Sequence, residues 1–375
     1  MKRASHRCLN IVLALIFLHS ITGYPIEVGA QPASVEIYLP SVTRSGLNWQ
    51  AMTNGLPGDW VRDILINPSS PHEILIAYRD SGIYKSADHG QSWSEVWGFA
   101  QATNPSVRQL AVSKSDTNIL YATAISRVLR STNRGSTWTN IWPVANSGGG
   151  WAIAVDPVDS DHVFIGINAD VPYNVYETED AGQTWIEKNL SVGSTEGIIS
   201  LAFDPITPDK IYAGGNTDLS TNPRVTRLFV SLDGGDNWSL VEEDFPATKR
   251  LTTITYNPCV PEQIFITRQG YGTSDHFHRR SDDSGSTWVT LPLIDDDLVI
   301  SPLAPCPIFS DMQRSLDNGA TWKNLSADLY TLIPDPANLR YSAWAADPWS
   351  NVLWLGTRYH GVFYLNGVVP HSGGN

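Results

Sequence analysis

The fold of this chain is decided by an octapeptide that reads Ser281-Asp282-Asp283-Ser284-Gly285-Ser286-Thr287-Trp288. Five near copies begin at Ser86, Ser131, Thr178, Ser231 and Ser315. The first residues of the six copies are 45, 47, 53, 50 and 34 positions apart. A period of this length is typical of propellers and other arrays of repeated units, and not of one irregular core.

The residue types of the octapeptide predict a tight turn followed by a strand. Its Asp accepts hydrogen bonds from nearby backbone N–H groups, and the Gly two positions later adopts a positive φ without steric cost. Thr and Trp suit the strand that follows. Calcium binding is the alternative, but it needs about six to eight oxygen ligands where each turn offers one carboxylate. The second copy has Asn instead of Asp, which favours a structural role for Asp88, Asn133, Asp180, Asp233, Asp283 and Asp317.

A second repeated feature is a polar residue, usually followed by Pro, that ends an apolar stretch. Pro is acceptable at a strand end, where no ladder donor is needed. Each unit then reads as four short strands, and no helical periodicity interrupts them, which is typical of a β-propeller. The feature occurs seven times, at Asn67, Ser113, Asp156, Asp204, Asn257, Ser301 and Asp347.

The two ends of the chain predict how the propeller closes. The last unit stops after a third strand at 361–365, and Gly46-Leu47-Asn48-Trp49 matches the second half of the octapeptide with no third strand before it. Pairing these segments removes two open strand edges. We therefore expect an all-β fold, a seven-bladed β-propeller of four-stranded blades in which the N-terminal strand completes the last blade. The unit from Leu298 to Trp322 is expected to be shortened.

The octapeptides resemble the Asp-box, or bacterial neuraminidase (BNR), repeat. Over nearly all its length after residue 30, the chain resembles the sialidase-like propeller superfamily. Relatives in that superfamily include sialidases, xyloglucan-degrading endoglucanases, the sortilin receptor propeller and the photosystem II assembly-factor propellers. The resemblance implies that the octapeptides lie between third and fourth strands, on the face away from any active site. It does not choose among activities, because one fold hosts many functions.

The first thirty residues predict a secretory signal peptide. Lys2, Arg3 and Arg7 precede a mostly apolar stretch at 9–21, and Val28-Gly29-Ala30 suits cleavage. An uncleaved anchor is the alternative, although the apolar stretch is short for a membrane span. We expect residues 31–44 to be a linker, 45–367 the propeller and 368–375 a flexible tail, in a secreted, extracellular protein.

Charge and cysteine content limit the partners of the chain. The formal net charge is −13, so the surface repels nucleic acid and anionic lipid. We expect no nucleic-acid partner and no stable membrane insertion after signal cleavage.

Cys259 and Cys306 lie in Pro-rich connections of successive units, where a disulfide is plausible in an oxidising compartment. Two unpaired, half-buried thiols are the alternative.

The loops opposite the octapeptides, which join fourth to first strands and second to third strands, are where we expect a functional site. Arg62 and Arg108 stand five residues before Asn67 and Ser113, so they are equivalent, and as neighbours they would grip a carboxylate. Two solvated side chains are the alternative. The ligand-binding candidates are Trp60, Arg62, Arg79, Arg108, Trp151, Tyr271, Arg358 and Tyr359. The same loops carry Asp80, Asp170, Asp218, Arg224, Asp275, His276, His278, Asp295, Asp296, Asp297, Trp344 and His360.

Enzymatic activity has weaker support in the sequence. The Arg-Ile-Pro segment that resemblance to sialidases would require is absent. The segment Arg79–Tyr84 is similar to the one that carries a catalytic Asp in xyloglucanases, which makes Asp80 a catalytic candidate, with Asp296 as a candidate for the second carboxyl. Those enzymes span two propellers with one carboxylate from each, and glycoside hydrolysis generally uses two spaced carboxyls. Asp80 in a hairpin turn before Gly82 also has a structural interpretation, as a cap.

No metal or other cofactor is predicted. His276 and His278 share one side of a strand by spacing, with Asp275 beside them, but a third ligand at recognisable spacing is missing.

The preferred hypothesis is a secreted, non-catalytic propeller that binds a protein or glycan on its loop face. The alternative is a glycoside hydrolase acting on extracellular polysaccharide, with Asp80 and one of Asp295–Asp297 as acid and base. The oligomeric state is not predicted.

Overall fold

Seven antiparallel sheets of four strands form the fold, a seven-bladed β-propeller. The computed structural model describes residues 48–143, 150–167, 175–188, 190, 196–217, 226–244, 249–270, 277–291, 298–310, 312–326, 329–333 and 341–367. No helix among these residues is long and apolar enough to cross a membrane. The predicted signal peptide, the linker and the C-terminal tail from 368 lie outside the described residues.

The first three blades follow one pattern, in which strands pair in chain order. Blade 1 comprises β2 (Val61–Ile66), β3 (Ile74–Tyr78), β4 (Gly82–Ser86) and β5 (Ser94–Trp97). Blade 2 comprises β6 (Val107–Val112), β7 (Leu120–Ala124), β8 (Arg127–Ser131) and β9 (Thr139–Asn140). Blade 3 comprises β10 (Gly150–Val155), β11 (Val163–Ile167), β12 (Val175–Thr178) and β13 (Ile186–Lys188).

Blades 4 to 6 repeat the pattern. Blade 4 comprises β14 (Glu196–Phe203), β15 (Ile211–Thr217), β16 (Thr226–Ser231) and β17 (Ser239–Asp244). Blade 5 comprises β18 (Lys249–Asn257), β19 (Val260–Gly270), β20 (Phe277–Ser281) and β21 (Val289–Thr290). Blade 6 has the predicted short strands, β22 (Val299–Ile300), β23 (Ile308–Ser310), β24 (Gln313–Ser315) and β25 (Lys323–Asn324).

Blade 7 joins the two ends of the chain. It comprises β26 (Tyr341–Ala346), β27 (Val352–Thr357), β28 (Val362–Asn366) and, as its fourth strand, β1 (Asn48–Ala51). The register pairs Trp49 with Leu365. The Trp49 side chain is buried, and its Nε1 donates a hydrogen bond of 2.9 Å to the carbonyl oxygen of Leu325. The predicted closure from both ends is therefore confirmed.

The hydrophobic core consists of layers between neighbouring blades. One layer packs Leu75 and Ile83 of blade 1 against Leu110 and Leu120 of blade 2, and another packs Phe164 of blade 3 against blade 4. Each strand can bury both faces in this way, since a blade lies on either side of it. This explains second strands such as β3, β7 and β11, which are buried along their whole length.

The six octapeptide turns use one set of hydrogen bonds, which blade 5 illustrates. The Ser281 hydroxyl accepts from the backbone N–H of Asp283 and Gly285 and donates to the Asp283 carboxylate. That carboxylate also accepts from the N–H and the hydroxyl of Thr287, both at 2.7 Å. The Thr287 and Ser281 bonds lower the pKa of Asp283 to about 2. In blade 2 the amide of Asn133 instead donates to the Thr137 hydroxyl, at 2.9 Å, so the turn forms without a charge.

The polar strand ends form a second ring of turns on the same face as the octapeptides. The backbone N–H of Asp156, for example, donates to the carbonyl of His162, while its carboxylate accepts from the N–H of Val158. Cys259 and Cys306 lie in these connections of blades 5 and 6 and form a disulfide, with Cα atoms 6.4 Å apart. We call this side of the propeller, with the octapeptide turns and the connections between first and second strands, the turn face.

Candidate functional site: an arginine and tryptophan cluster on the loop face

The opposite side of the propeller, here called the loop face, carries the predicted site residues. In each blade the first strand begins there, the second strand ends there and a hairpin leads into the third strand. Trp60 directly precedes β2, the segment 79–81 joins β3 to β4, and 358–361 joins β27 to β28. Blades 1 and 7 pack against each other, so these segments are neighbours on the loop face.

A β-bulge near the start of the first strand positions the next layer of side chains. The register shifts between Val61 and Asp63, between Val107 and Gln109 and between Gly150 and Ala152. The bulged residues are thus Arg62, Arg108 and Trp151, at equivalent places in three successive blades. A bulge re-aims its side chain and ends regular pairing. The sequence predicted the equivalence of the two arginines but missed that Trp151 occupies the same place in blade 3, and the register shift recurs in blades 4, 5 and 7.

Hydrogen bonds between blades hold these bulges in register. The Asp63 carboxylate of blade 1 accepts from the N–H of Leu110 in blade 2, at 2.8 Å. The Gln109 side chain of blade 2 accepts from the N–H of Ile153 in blade 3, at 3.0 Å. Each acceptor directly follows a bulged residue, so the bulges are fixed relative to one another across blades.

Trp60 is the centre of a cluster of three arginines, which we call the Trp60 cluster. The guanidinium carbons of Arg62, Arg79 and Arg358 lie 4.1, 5.0 and 4.0 Å from the centroid of the indole ring. Because a ring has only two faces, at least two guanidinium groups share one of them. Cation–π attraction holds each group there. In the same way Arg108 stacks on Trp151, with 4.1 Å between guanidinium carbon and centroid.

Asp59 ties the cluster to its hairpin. Its carboxylate accepts hydrogen bonds from the N–H of Trp60, from the N–H of Asp80 at 2.8 Å and from the hydroxyl of Ser81 at 3.0 Å. The capping residue of this hairpin is therefore Asp59, and the predicted cap, Asp80, only supplies a donor. The Asp80 side chain is 66% exposed and lies 3.8 Å from the Nε of Arg79.

The hairpin of blade 7 presents Arg358 to the cluster. The Thr357 hydroxyl donates to the carbonyl of Gly361 at 2.9 Å and accepts from the N–H of His360 at 3.0 Å. Gly361 has a φ of 83°, a conformation that other residues rarely adopt. The turn is thus closed by its own atoms, and Tyr359 at its tip is 65% exposed.

The cluster contains donors that the described part of the chain leaves without a hydrogen-bond acceptor. These are the buried Nε1 of Trp60 and the buried Nε of Arg358. Tyr78, the last residue of β3, is fully buried, and burial raises the pKa of its hydroxyl. Tyr78 therefore stays protonated and is closed to a ligand. Guanidinium groups held in such a stack can receive a carboxylate, sulfate or phosphate group through paired N–H donors.

The structure brings together some of the predicted residues and separates others. Trp60, Arg62, Arg79 and Arg358 meet, with Asp80 beside them, and Arg108 meets Trp151. Trp344 instead packs against the core between blades 6 and 7. His278 is buried in β20, where a loop position was expected, so that expectation is wrong. Outside the described residues lie Asp170, Asp218, Arg224, Tyr271, Asp275, His276, Asp295, Asp296 and Asp297.

Comparison with known proteins agrees with this architecture. The profile of the Sortilin-Vps10 family, described as sortilin, neurotensin receptor 3, matches residues 126–273. The GH74 xyloglucanase from Xanthomonas campestris is similar in structure, with a TM-score of 0.64, 18% identity and coverage of 88% of this chain and 55% of that one. The chain is a propeller similar to sortilin-type and xyloglucanase-type propellers. The resemblance predicted from the sequence is confirmed.

Other structures widen the range of functions in this fold. An ancestral GH74 enzyme gives a TM-score of 0.60 at 16% identity, covering 84% of this chain and 46% of that one. YCF48 bound to a D1 peptide gives 0.57 at 14% identity, covering 87% and 98%. The chain spans about half the length of the GH74 enzymes. No curated protein matches the sequence.

Proposed function

We propose that this chain is a secreted, non-catalytic β-propeller that binds a protein or glycan ligand on its loop face. The single observation that carries the proposal is the Trp60 cluster, in which three guanidinium groups surround one indole ring. The ligand group that fits this arrangement is an anion, since arginine recognises carboxylate, sulfate and phosphate oxygens through paired N–H donors.

The charge of the cluster supports binding because it contrasts with the rest of the molecule. The formal net charge of the chain is −13, yet three arginines from two blades converge here. Like charges held together cost free energy, which a bound anion offsets. The aromatic rings of Trp60 and Trp151 also offer apolar surface to the ligand.

Hydrolysis has less support from the same residues. A glycosidase needs one carboxyl group held protonated, usually in an apolar pocket, and a second at a defined distance. The Asp59 carboxylate is used by three hydrogen bonds within the protein. Asp80 is two-thirds exposed beside Arg79. The chain also covers only about half of each GH74 enzyme, so their activity is not transferred to it.

The test is a binding screen on an array of carboxylated, sulfated and neutral glycans and of acidic peptides, with chromogenic glycosides assayed in parallel. We expect an anionic ligand to bind without turnover. Arg62→Gln and Arg358→Gln should each weaken binding by about tenfold or more, because each removes a charge-assisted contact.

Arg134→Gln is the matched control, since it removes one positive charge from the turn face, where Arg134 pairs with Glu73. It should leave binding unchanged. Equal losses in all three variants would point to net charge alone and reject the site. Hydrolysis that is lost in Asp80→Asn would reject the non-catalytic assignment in favour of a glycoside hydrolase.

Secretion is a separate part of the proposal. It rests on the basic, apolar and small-residue order of the first thirty residues. Expression with the native N-terminus should give an exported protein whose first residue is Gln31. An intact N-terminus in the membrane fraction would instead support the anchor.

A further inference from the structure

A histidine and two glutamates meet on the turn face of blade 3. His162 directly precedes β11, Glu177 lies in β12, and Glu179 is the second residue of the octapeptide turn. One ligand atom of each lies within 4.8 Å of those of the other two. His162 is half-buried, the Glu177 side chain is only 4% exposed, and Glu179 faces solvent.

Neighbouring side chains orient two of these three groups. The Asp156 carboxylate lies 2.9 Å from the Nδ1 of His162, which fixes the imidazole ring and aims Nε2 at Glu177. Lys188 holds the other oxygen of Glu177 at 2.7 Å and is itself paired with Asp236 of blade 4 at 2.9 Å. A carboxylate on the second ring nitrogen is the usual support of a metal-binding histidine.

Blade 3 departs here from the other blades of the repeat. In blade 1 the same two strand places hold Glu73 and Lys85, which form an ion pair of 2.8 Å. None of the residues aligned with Glu177 is acidic; they are Lys85, Arg130, Val230, Arg280, Arg314 and Tyr364. None of those aligned with His162 is histidine; they are Glu73, Ile119, Lys210, Gln263, Pro307 and Val352. The scaffold therefore does not require the trio.

The local charges favour a cation. Four carboxylates gather around this place, from Asp156, Glu177, Glu179 and Asp236, and Lys188 supplies one positive charge among them. A divalent ion between His162 and the two glutamates would offset the remaining negative charge. One imidazole and two carboxylates suit Zn²⁺ and related transition-metal ions, whereas Ca²⁺ prefers a larger, all-oxygen set.

We infer that His162, Glu177 and Glu179 bind a divalent transition-metal ion of the Zn²⁺ class on the turn face. Asp156 and Lys188 act as positioning residues. Three protein ligands leave a coordination position open to water. The site lies on the face opposite the Trp60 cluster and does not depend on the proposed ligand binding.

The test is calorimetric titration of the chelator-treated, full-length protein with Zn²⁺ alone. We expect one ion to bind per chain. Glu179→Gln should weaken the affinity by more than tenfold while the fold is retained, because Glu179 is exposed. Replacing Zn²⁺ by Co²⁺ should give a visible absorption band that His162→Gln removes, which a purely structural role of His162 would not predict.

Glu187→Gln is the matched control, since Glu187 is an exposed acid on β13 of the same blade. Its affinity for Zn²⁺ should equal that of the unmodified protein. The proposal is overturned if the unmodified protein binds no Zn²⁺ saturably in the micromolar range, which would leave a protonated His162 bridging two carboxylates. Equal weakening in Glu179→Gln and Glu187→Gln would also overturn it, because binding would then reflect surface charge.

Discussion

The two faces of the propeller use their polar side chains in opposite ways. On the turn face, the carboxylate at the third position of an octapeptide is hydrogen-bonded within its own turn, as the bonds of Asp283 to Ser281 and Thr287 illustrate. On the loop face, guanidinium groups stack on Trp60, and the Nε1 of Trp60 and the Nε of Arg358 have no hydrogen-bond acceptor among the described residues. A polar group that is satisfied internally stabilises a fold, whereas one that is held in place with spare donors can bind a ligand.

The difference also explains why only one face repeats. A turn closed by its own residues works wherever it is copied, so six copies keep one sequence pattern. The Trp60 cluster instead needs residues from blades 7 and 1 that face each other, and of its partners only Arg62 has an arginine at the aligned position of blade 2, Arg108. Mutations on the two faces should therefore affect different properties.

Two tryptophans give the largest expected contrast. The Trp49 side chain is 2% exposed and lies in the strand that closes the ring of blades. Trp49→Ala should therefore lower the free energy of unfolding by about 3–5 kcal/mol. Trp60→Ala, on a half-buried ring, should cost about 1–2 kcal/mol but abolish anion binding. Chemical denaturation measures the two stability losses, and a binding titration measures the loss of anion binding.

If Trp49→Ala does not fold, Trp49→Phe keeps the apolar packing and removes only the hydrogen bond to Leu325. It should cost about 1 kcal/mol. Equal losses for Trp49→Ala and Trp60→Ala would contradict the division between the faces.

Two adjacent glycines test the turn itself. Gly235 has a φ of 92°, and an added Cβ would press on the ring of Phe164. Gly235→Ala should therefore cost about 2–4 kcal/mol. Gly234 has a φ of 68° with no atom within 4 Å of an added Cβ, and other copies hold His89 or Arg134 in this conformation. Gly234→Ala should cost about 1 kcal/mol or less, and thermal unfolding of both variants compares them.

Two aspartates on the loop face give a smaller contrast. Asp59→Ala removes an acceptor of three hydrogen bonds and should cost about 1–2 kcal/mol. Asp80→Ala removes an exposed acid 3.8 Å from Arg79 and should change stability by less than about 0.5 kcal/mol. A larger loss in Asp80→Ala than in Asp59→Ala would show that the capping residue is misassigned.

The smallest effect at neutral pH is expected for Asp283→Asn, since Asn133 already serves in an equivalent turn. The folded pKa of Asp283, about 2, lies below the ordinary value of 3.8. Its ionised form therefore stabilises the fold above pH 4, and that contribution is lost as the pH falls toward 2. Denaturation at pH 7 should give nearly equal free energies of unfolding for Asp283→Asn and the unmodified protein. Between pH 7 and pH 3, Asp283→Asn should lose less stability than the unmodified protein. Identical acid losses would contradict this.

Much of the fold was predictable because its information is local. The Asp and Gly of each turn, the polar strand ends and the half-motif at Trp49 specify strand order, blade number and closure without knowledge of distant contacts. The loop residues gave less. Arg62 and Arg108 were found by their spacing, but Asp59 gave no signal, since its partners in the 79–81 hairpin are about 20 residues away.

The sequence by itself therefore determined the seven-bladed ring, because six blades are each encoded within about fifty residues and the half-motif at Trp49 marks the strand that completes the seventh. Only the tertiary structure decided which side chains that are distant in sequence come into contact. Arg358 reaches Trp60, almost 300 positions away, because closure of the ring brings blade 7 beside blade 1. His162, Glu177 and Glu179 meet because strand pairing in blade 3 aligns them. Such meetings depend on ring closure and register, which spacing along a chain does not record.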